Sequence, residues 1–373
     1  MITDEGKIFL AAAKTFIDEH VHGAAFDKAQ QLPRSLLKLL ASHGYLGINI
    51  SREQGGLGMN ALEYGLFTEL LGRACSSTRT LLTVHCSLVT ETLSRWGTEQ
   101  QKRHWFALLV SGETIASFAV SEPAHGSDTR GIATRYRKSG ADYVISGTKK
   151  WISFGAIADV FLVFAKCDEQ MSAFLIDRSA PGVRVEPINN LLSQRASHLA
   201  EITFDEVVVP NTRLLGAEGS GQLLLMSALD NGRYSVAWGA CGVAREALVQ
   251  MIGYAQQRTQ FGSPLAEFQL VQGLIGDAAS EVHAAHALCE RAASQRMARS
   301  CHAGYETTIA KYVASKAAVS VTARALQVHG ANGLSDDFCV ERLFRDAKAL
   351  EIIEGSSQMQ QITISNYALT AEK

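Results

Sequence analysis

The sequence predicts an α+β protein in which a β domain sits between two helical blocks. Three observations predict it. Apolar residues recur at helical spacing up to about residue 112 and again after Gly216, whereas between those points the runs shorten and alternate. Glycine-rich stretches, SREQGGLGMN and GAEGSGQ, punctuate the chain. A length of 373 residues, 47% of them hydrophobic, suffices for about two or three domains with a large core.

The elements follow in order. Residues 1–113 read as an N-terminal helical domain. The helical spacing of SLLKLLASHGYLG is stopped by Gly44 and Gly47, and ALEYGLFTELLGRA resumes it. GTEQQKRHWFALLVSGE opens on Thr98 as an N-cap and closes at Gly112. Residues 114–216 read as a β domain. RYRKSGADYVISGTKKWI alternates polar and apolar residues around Ser139-Gly140, a hairpin signal. DVFLVFAK, SAFLID and EITFDEVVVP are short, rich in Val, Ile and Phe, and bounded by turns, as strands are. Residues 217–373 read as a helical bundle: three long Ala-rich segments, the third ending at Gly330, and a fourth helix over roughly Phe338 to Ile353.

Composition narrows the function classes. A formal net charge of -2 supplies no basic field for nucleic acid. No apolar run approaches the roughly 18 residues of a membrane span, and the start MITDEGKIFLAAAKTF does not read as a secretory or transit signal. Seven scattered cysteines without CxxC spacing suit reduced thiols, so a cytoplasmic location is expected. His85, His125, His198 and His329 show no metal-ligand spacing, so no metal is expected. No GxGxxG follows a strand, which argues against a Rossmann fold.

The candidate chemistry lies in four stretches. In ERLFRDAKALEIIEGSSQMQQ, Glu354 follows Ile352 and Ile353 and precedes Gly355. Desolvation raises a carboxylate's pKa and strengthens it as a proton acceptor, so this arrangement suits a base at a backbone break; it equally describes a helix end in water. SEPAHGSD offers the Ser121 hydroxyl in a turn stiffened by Pro123, or simply a capped turn. In KKWISFG, period-two spacing puts Trp151 and Ser153 on one face, where a core tryptophan is the plain alternative. Arg258 in RTQFG carries a guanidinium fork suited to phosphate oxygens, or is a solvated helix-end arginine.

Together these stretches resemble the acyl-CoA dehydrogenase family. The C-terminal segment is a close variant of the family's IYEGTSQIQ; ASFAVSEPAHGSD resembles its flavin and thioester loop; RTQFGSPLAEFQ resembles RxxFGxxxxxxQ; and QVHGANG resembles QxxGGxGY. The resemblance implies an N-terminal helical domain, a middle β-barrel-like domain and a C-terminal four-helix bundle, with FAD as cofactor. It implies that Glu354 removes the α-proton of an acyl thioester while the flavin takes the β-hydride. Phe118, Val120, Ser121, Trp151, Ile152, Ser153, Ser356 and Gln358 are then expected around the flavin. Arg258, Phe261, Gln269, Gln327, Val328, Gly330 and Ala331 are expected to reach a flavin across a subunit boundary or to close on its adenine half, which implies a homodimer or homotetramer. Ser127 and Arg233 are expected beside the substrate's carrier arm. Some members place the glutamate immediately before that arginine; here the position is Gly232, which cannot act as a base.

The carrier is CoA or an acyl carrier protein, and an electron acceptor such as electron-transfer flavoprotein is implied. NGRYSVAWGACG resembles members that oxidise small acyl or aminoacyl groups on carrier proteins in polyketide and nonribosomal peptide assembly. A non-enzymatic thioester-binding protein of the same fold and an oxygen-using oxidase are the remaining readings.

Overall fold

A computed structural model describes residues 2–371. Its N-terminal part is helical: α1 (Asp4–His20), α2 (Gly23–Ala29), α3 (Arg34–Ser42), α4 (Ala61–Ala74), α5 (Ser76–Leu82), α6 (Glu91–Trp96) and α7 (Glu99–Val110). Between α5 and α6 the segment Thr83–Thr90 continues as a wide π-type helix, a local distortion that recurs at functional sites. Thr98 caps α7 as expected, and its box is reciprocal: Thr98 accepts from Gln101 N while Gln101 bonds the Thr98 backbone N–H.

The middle part holds β1 (Ala116–Ala119), β2 (Arg135–Ser139), β3 (Asp142–Ile152), β4 (Val160–Cys167), β5 (Gln170–Asp177), β6 (Val183–Pro187), β7 (Ala200–Val209) and β8 (Leu214–Leu215). The expected hairpin is present, with Ser139 opposite Asp142. The expected barrel is not. The strand path β6-β7-β3-β2-β4-β5-β8 is open at both ends, β1 pairs with β4 off that path, and β2 meets β4 at the single register pair Arg135–Lys166. Two nearly separate sheets therefore pack face to face. The alternation within β4 shows why. Val160, Leu162 and Phe164 pack with Trp105 and Phe106 of α7, whereas Phe161, Val163 and Ala165 pack with Tyr136, Ile145 and Phe204 of the other strands. A strand buried on both faces needs the continuous apolar run seen in the sequence, and each buried phenylalanine contributes about 1.5–3 kcal/mol.

The C-terminal part contains α8 (Gly221–Gln257), the two-residue strands β9 (Thr259–Gln260) and β10 (Ser263–Pro264), then α9 (Gln269–Met297), α10 (Ala303–His329), α11 (Val340–Leu350) and α12 (Ser357–Ala371). Helix α8 packs on α4, α9 and α10 and is buried almost all round from Asn231 to Ala244, as its apolar, small-residue sequence requires. Gly330, at φ 58°, ends α10 where expected. The expected fourth helix is shorter than the sequence suggests, because the chain turns after Leu350 to present Glu354. No helix among the described residues is long and apolar enough to cross a membrane.

Candidate active site

Glu354 and Gly355 occupy the turn between α11 and α12 and both adopt left-handed backbone, with φ 55° and 89°. For Gly355 this is cheap; for a glutamate it is a strain that the surroundings must impose. They do so through the backbone carbonyls. Glu354 O accepts from Arg233 Nε at 3.2 Å and from Gln360 Nε2 at 3.1 Å. Gly355 O accepts from Lys311 Nζ at 2.8 Å and from Gln360 Nε2 at 2.9 Å. The bland reading of Glu354 as a solvated helix end is therefore excluded.

The carboxylate itself is left unbonded. Part of the residue's surface remains exposed, but Oε2 is sealed from solvent and has no hydrogen-bond partner. Burial pushes the carboxyl up to about 7, against the pull of Arg233, Lys311 and Arg79. A carboxylate with a pKa near neutrality and a free lone pair is equipped to take a proton. Gly232 makes room for it: a Cβ there would lie 2.4 Å from Glu354 Oε2 and 2.8 Å from Leu88 Cδ2. The two alternative base positions read from the sequence thus converge on one point in space.

Of the flavin-loop residues, Phe118 lies nearest this carboxylate. Phe118 packs on Val84, Leu88 and Ala228, the wall that Gly232 touches. Val120 and Ile152 are buried, so what they present is backbone. Ser121 O accepts from Lys150 N at 2.8 Å, which joins the loop to β3. Trp151 is 52% exposed and is not a core tryptophan. The period-two argument does not place it, because β3 shifts register between Lys149 and Ile152 and Trp151 sits at φ 63°. That bulge turns the indole outward, next to the half-buried Ser121 and Ser153. An exposed aromatic ring flanked by hydroxyls is a surface on which a flat heteroaromatic ring packs, so these residues fit a flavin. Ser127 is exposed in its loop, Ser356 caps α12 by accepting from Met359 N at 3.4 Å, and Gln358 is exposed.

The remaining predicted residues lie elsewhere. Arg258, Phe261 and Gln269 follow the C-terminus of α8, whereas Arg233 is near its start. Twenty-four residues of helix separate Arg233 from Gln257, or about 36 Å. Phe261 is 96% exposed at φ 51°. Gln327, Gly330 and Ala331 reach the same end: Asn332 Nδ2 bonds Tyr254 OH at 2.8 Å, and Tyr254 stacks on His329 at 4.1 Å. Val328 packs in the helical core. No group of three or more His, Cys, Asp or Glu suited to a metal occurs among the described residues. His85 is structural: buried and driven down to about 4, it accepts from Ala116 N at 3.1 Å and bonds Leu109 O at 3.0 Å.

Sequence reasoning missed Arg79. It is 0% exposed, bonds only hydroxyls (Thr83 Oγ1 at 3.0 Å, Thr80 Oγ1 at 2.8 Å) and leaves Nε unpartnered. Its signal was its isolation, since no other Asp, Glu, Lys or Arg occurs between Arg73 and Glu91. Thr83 Oγ1 continues the polar chain to Ser235 Oγ at 2.7 Å, and Tyr64 OH links Ser235 and Ser87 at 3.2 and 2.6 Å.

Comparison with known proteins shows the family. The chain matches the acyl-CoA dehydrogenase N-terminal domain over residues 3–113, the middle domain over 117–207 and the C-terminal domain over 219–369. It is 34% identical over 375 aligned positions to an acyl-CoA dehydrogenase of Bacillus subtilis, covering 99% of each chain. It is 35% identical to the mitochondrial short-chain specific acyl-CoA dehydrogenase of Bos taurus, covering 93% of this chain and 85% of that one. Butyryl-CoA dehydrogenase of Megasphaera elsdenii superposes with a TM-score of 0.95 at 31% identity, covering 99% of both chains. The prolyl acyl carrier protein oxidase AnaB superposes with a TM-score of 0.94 at 26% identity, covering 98% and 99%. FkbI, which serves biosynthesis of a methoxymalonyl extender unit, superposes with a TM-score of 0.87 at 34% identity, covering 96% and 99%. This chain belongs to the acyl-CoA dehydrogenase family.

Proposed function

We propose that this protein is an FAD-dependent dehydrogenase of an acyl thioester, with Glu354 as the α-proton base. The observation that carries the reading is the sealed, unbonded Oε2 of a carboxyl raised to about 7. Arg233 and Lys311 bond carbonyl oxygens rather than the carboxylate. They fix the turn without consuming the lone pair that must take the proton, while their charges keep part of the group ionised at neutral pH. Hydrogen-bond donors at the thioester carbonyl stabilise the developing enolate. FAD, when bound, accepts the hydride that leaves the β-carbon as the Cα=Cβ bond forms. Phe118, Trp151, Ser121 and Ser153 are the residues that would hold its ring, and Ser127 and Arg233 those that would lie beside the carrier arm.

A second observation favours a small polar acyl group. Burial lowers Arg79 only to about 10, so it remains a cation. A buried cation that bonds only neutral hydroxyls is expensive unless a ligand completes it. Arg79 lies close enough to Glu354 for their charges to act on each other. Arg79, Thr80 and Thr83 therefore suit a short acyl chain that carries a hydroxyl, or a carboxylate beyond its β-carbon, and so keeps a β-hydrogen to be removed. The likeness to AnaB and FkbI supports a carrier-protein thioester. Because Arg258 and Gln327 lie far along the bundle from Glu354, their service to FAD requires a second subunit, and electron-transfer flavoprotein suits the role of acceptor.

The test is anaerobic single turnover with matched acyl-CoA and acyl-carrier-protein thioesters, following flavin bleaching and product mass together. Bleaching with loss of two mass units from a polar short-chain thioester is expected. Absence of bleaching with every acyl thioester would sink the reading.

A further inference from the structure

We propose that the buried Glu122–Lys149 ion pair is a positioning strut that sets the flavin-binding loop against β3. The inference rests on the FAD reading above. Neither side chain touches the reacting centre, and both are nearly sealed, at 2% and 0% exposure. Lys149 Nζ donates to Glu122 Oε1 at 2.8 Å and to Val120 O at 3.0 Å. Glu122 Oε1 also accepts from Thr134 N at 2.9 Å and from Thr134 Oγ1 at 2.6 Å, and Oε2 accepts from Ala133 N at 2.5 Å. One buried ammonium thus binds a loop carbonyl next to Ser121 while standing two residues before Trp151, at the point where β3 loses register. Lys150 N–H to Ser121 O at 2.8 Å is the adjacent stitch.

Stability alone does not account for this arrangement. A buried ion pair is often replaced by well-packed apolar residues at no loss. What apolar residues cannot supply is a donor aimed at Val120 O from β3. Burial pulls the Lys149 ammonium down to about 8, and Glu122 opposes that fall. Burial also pushes Glu122 up, but the Lys149 charge and the hydrogen bonds outweigh it and hold the carboxyl below its usual range. The pair is therefore charged at neutral pH. Its two loop-side attachments, to Val120 and to the Ala133–Thr134 segment, leave the loop little freedom to slide along β3. Position matters here because a cofactor ring is held by groups whose own placement is fixed by the groups behind them.

The experiment compares the parent chain with the double variant Glu122→Gln/Lys149→Met and with Thr134→Val. The double variant removes both charges, so no uncompensated charge is left in the core. Thr134→Val removes one donor to Glu122 with little change of shape, and serves even where the double variant does not fold. Apo-protein is titrated with FAD, and the melting temperature of the apo-protein and the midpoint potential of the bound flavin are measured beside it. For the double variant, FAD affinity is expected to fall roughly tenfold or more, as for other supporting residues behind a bound group, with the apo-protein melting close to the parent. For Thr134→Val a loss of about threefold is expected. The flavin potential shifts in both, which a purely structural role does not require. FAD affinity and potential equal to the parent's in every folded variant would overturn the inference. A parent chain that binds no FAD would instead overturn the cofactor reading.

Discussion

The two ends of the helical bundle differ in completeness. At the Glu354 end, groups from α5, the π-type segment, α8, α10 and α12 converge in one chain. One carboxylate oxygen, Oε2, is sealed, the backbone is clamped by Arg233, Lys311 and Gln360, and Phe118 lines the wall. At the other end, Arg258 ends α8, Phe261 stands in the exposed β9–β10 turn and Gln269 opens α9, all exposed and near Gln327 and Gly330. The difference sharpens the function proposed above: there, one end would carry the proton chemistry by itself, and the other would be half of a site that a second copy completes.

The largest effect should come from Glu354→Gln. It keeps the shape and removes the proton acceptor, so flavin reduction should fall by about 10²–10⁴-fold while FAD content stays near that of the parent. Stopped-flow reduction within a few-fold of the parent would place the base elsewhere. Next, Arg79→Met should reduce kcat/KM for a short acyl thioester ending in carboxylate by roughly 10–100-fold, about what a lost charge-assisted hydrogen bond is worth. Butyryl thioester should be little affected or improved. Equal losses on both substrates would mean that Arg79 supports the fold rather than the ligand.

A smaller effect belongs to pH. The base must be ionised, and burial has raised it to about 7. Reduction rates in single turnover should therefore climb as pH rises through about 7 and level off above it, and Glu354→Gln should lose that limb. The stability sign is the reverse. The folded state holds this proton more tightly than the unfolded chain, so Glu354 weakens the fold as pH rises from the ordinary carboxylate range through about 7. Urea unfolding at pH 8 should find Glu354→Gln more stable than the parent. The smallest effect on chemistry is expected at the other end. Arg258→Ala should lower FAD occupancy and loosen the oligomer in sedimentation, yet leave the rate of the flavin-replete fraction close to parent. A flavin-replete monomer would break the comparison outright.

Much of the architecture was legible in sequence because it is set locally. Thr98 caps α7 and Gly330 stops α10 through hydrogen bonds and torsions within a few residues of each. The apolar run of β4 announces a strand buried on both faces. The Glu354-Gly355 break was legible because a turn between two helices is a local event, and the structure places it between α11 and α12. Trp151 was placed on its face by alternation alone, and alternation fails where a bulge interrupts β3.

What the sequence by itself determined is the helical, β and helical order, the family's motifs, and Glu354 as the strongest base candidate. The tertiary structure alone decided the rest, for one reason: burial and pairing depend on residues far apart in the chain. Glu354 owes its sealed oxygen to space left by Gly232, over a hundred residues earlier. Arg79 is an unremarkable arginine until α8 closes over it, and Glu122 and Lys149 become a strut only when the loop folds back on β3. The barrel expected of the middle domain opened because its edge strands, five-residue β6 and two-residue β8, pair with inner strands and not with each other. No local pattern specifies that choice; the packing of β4 and β5 against the N-terminal helices does.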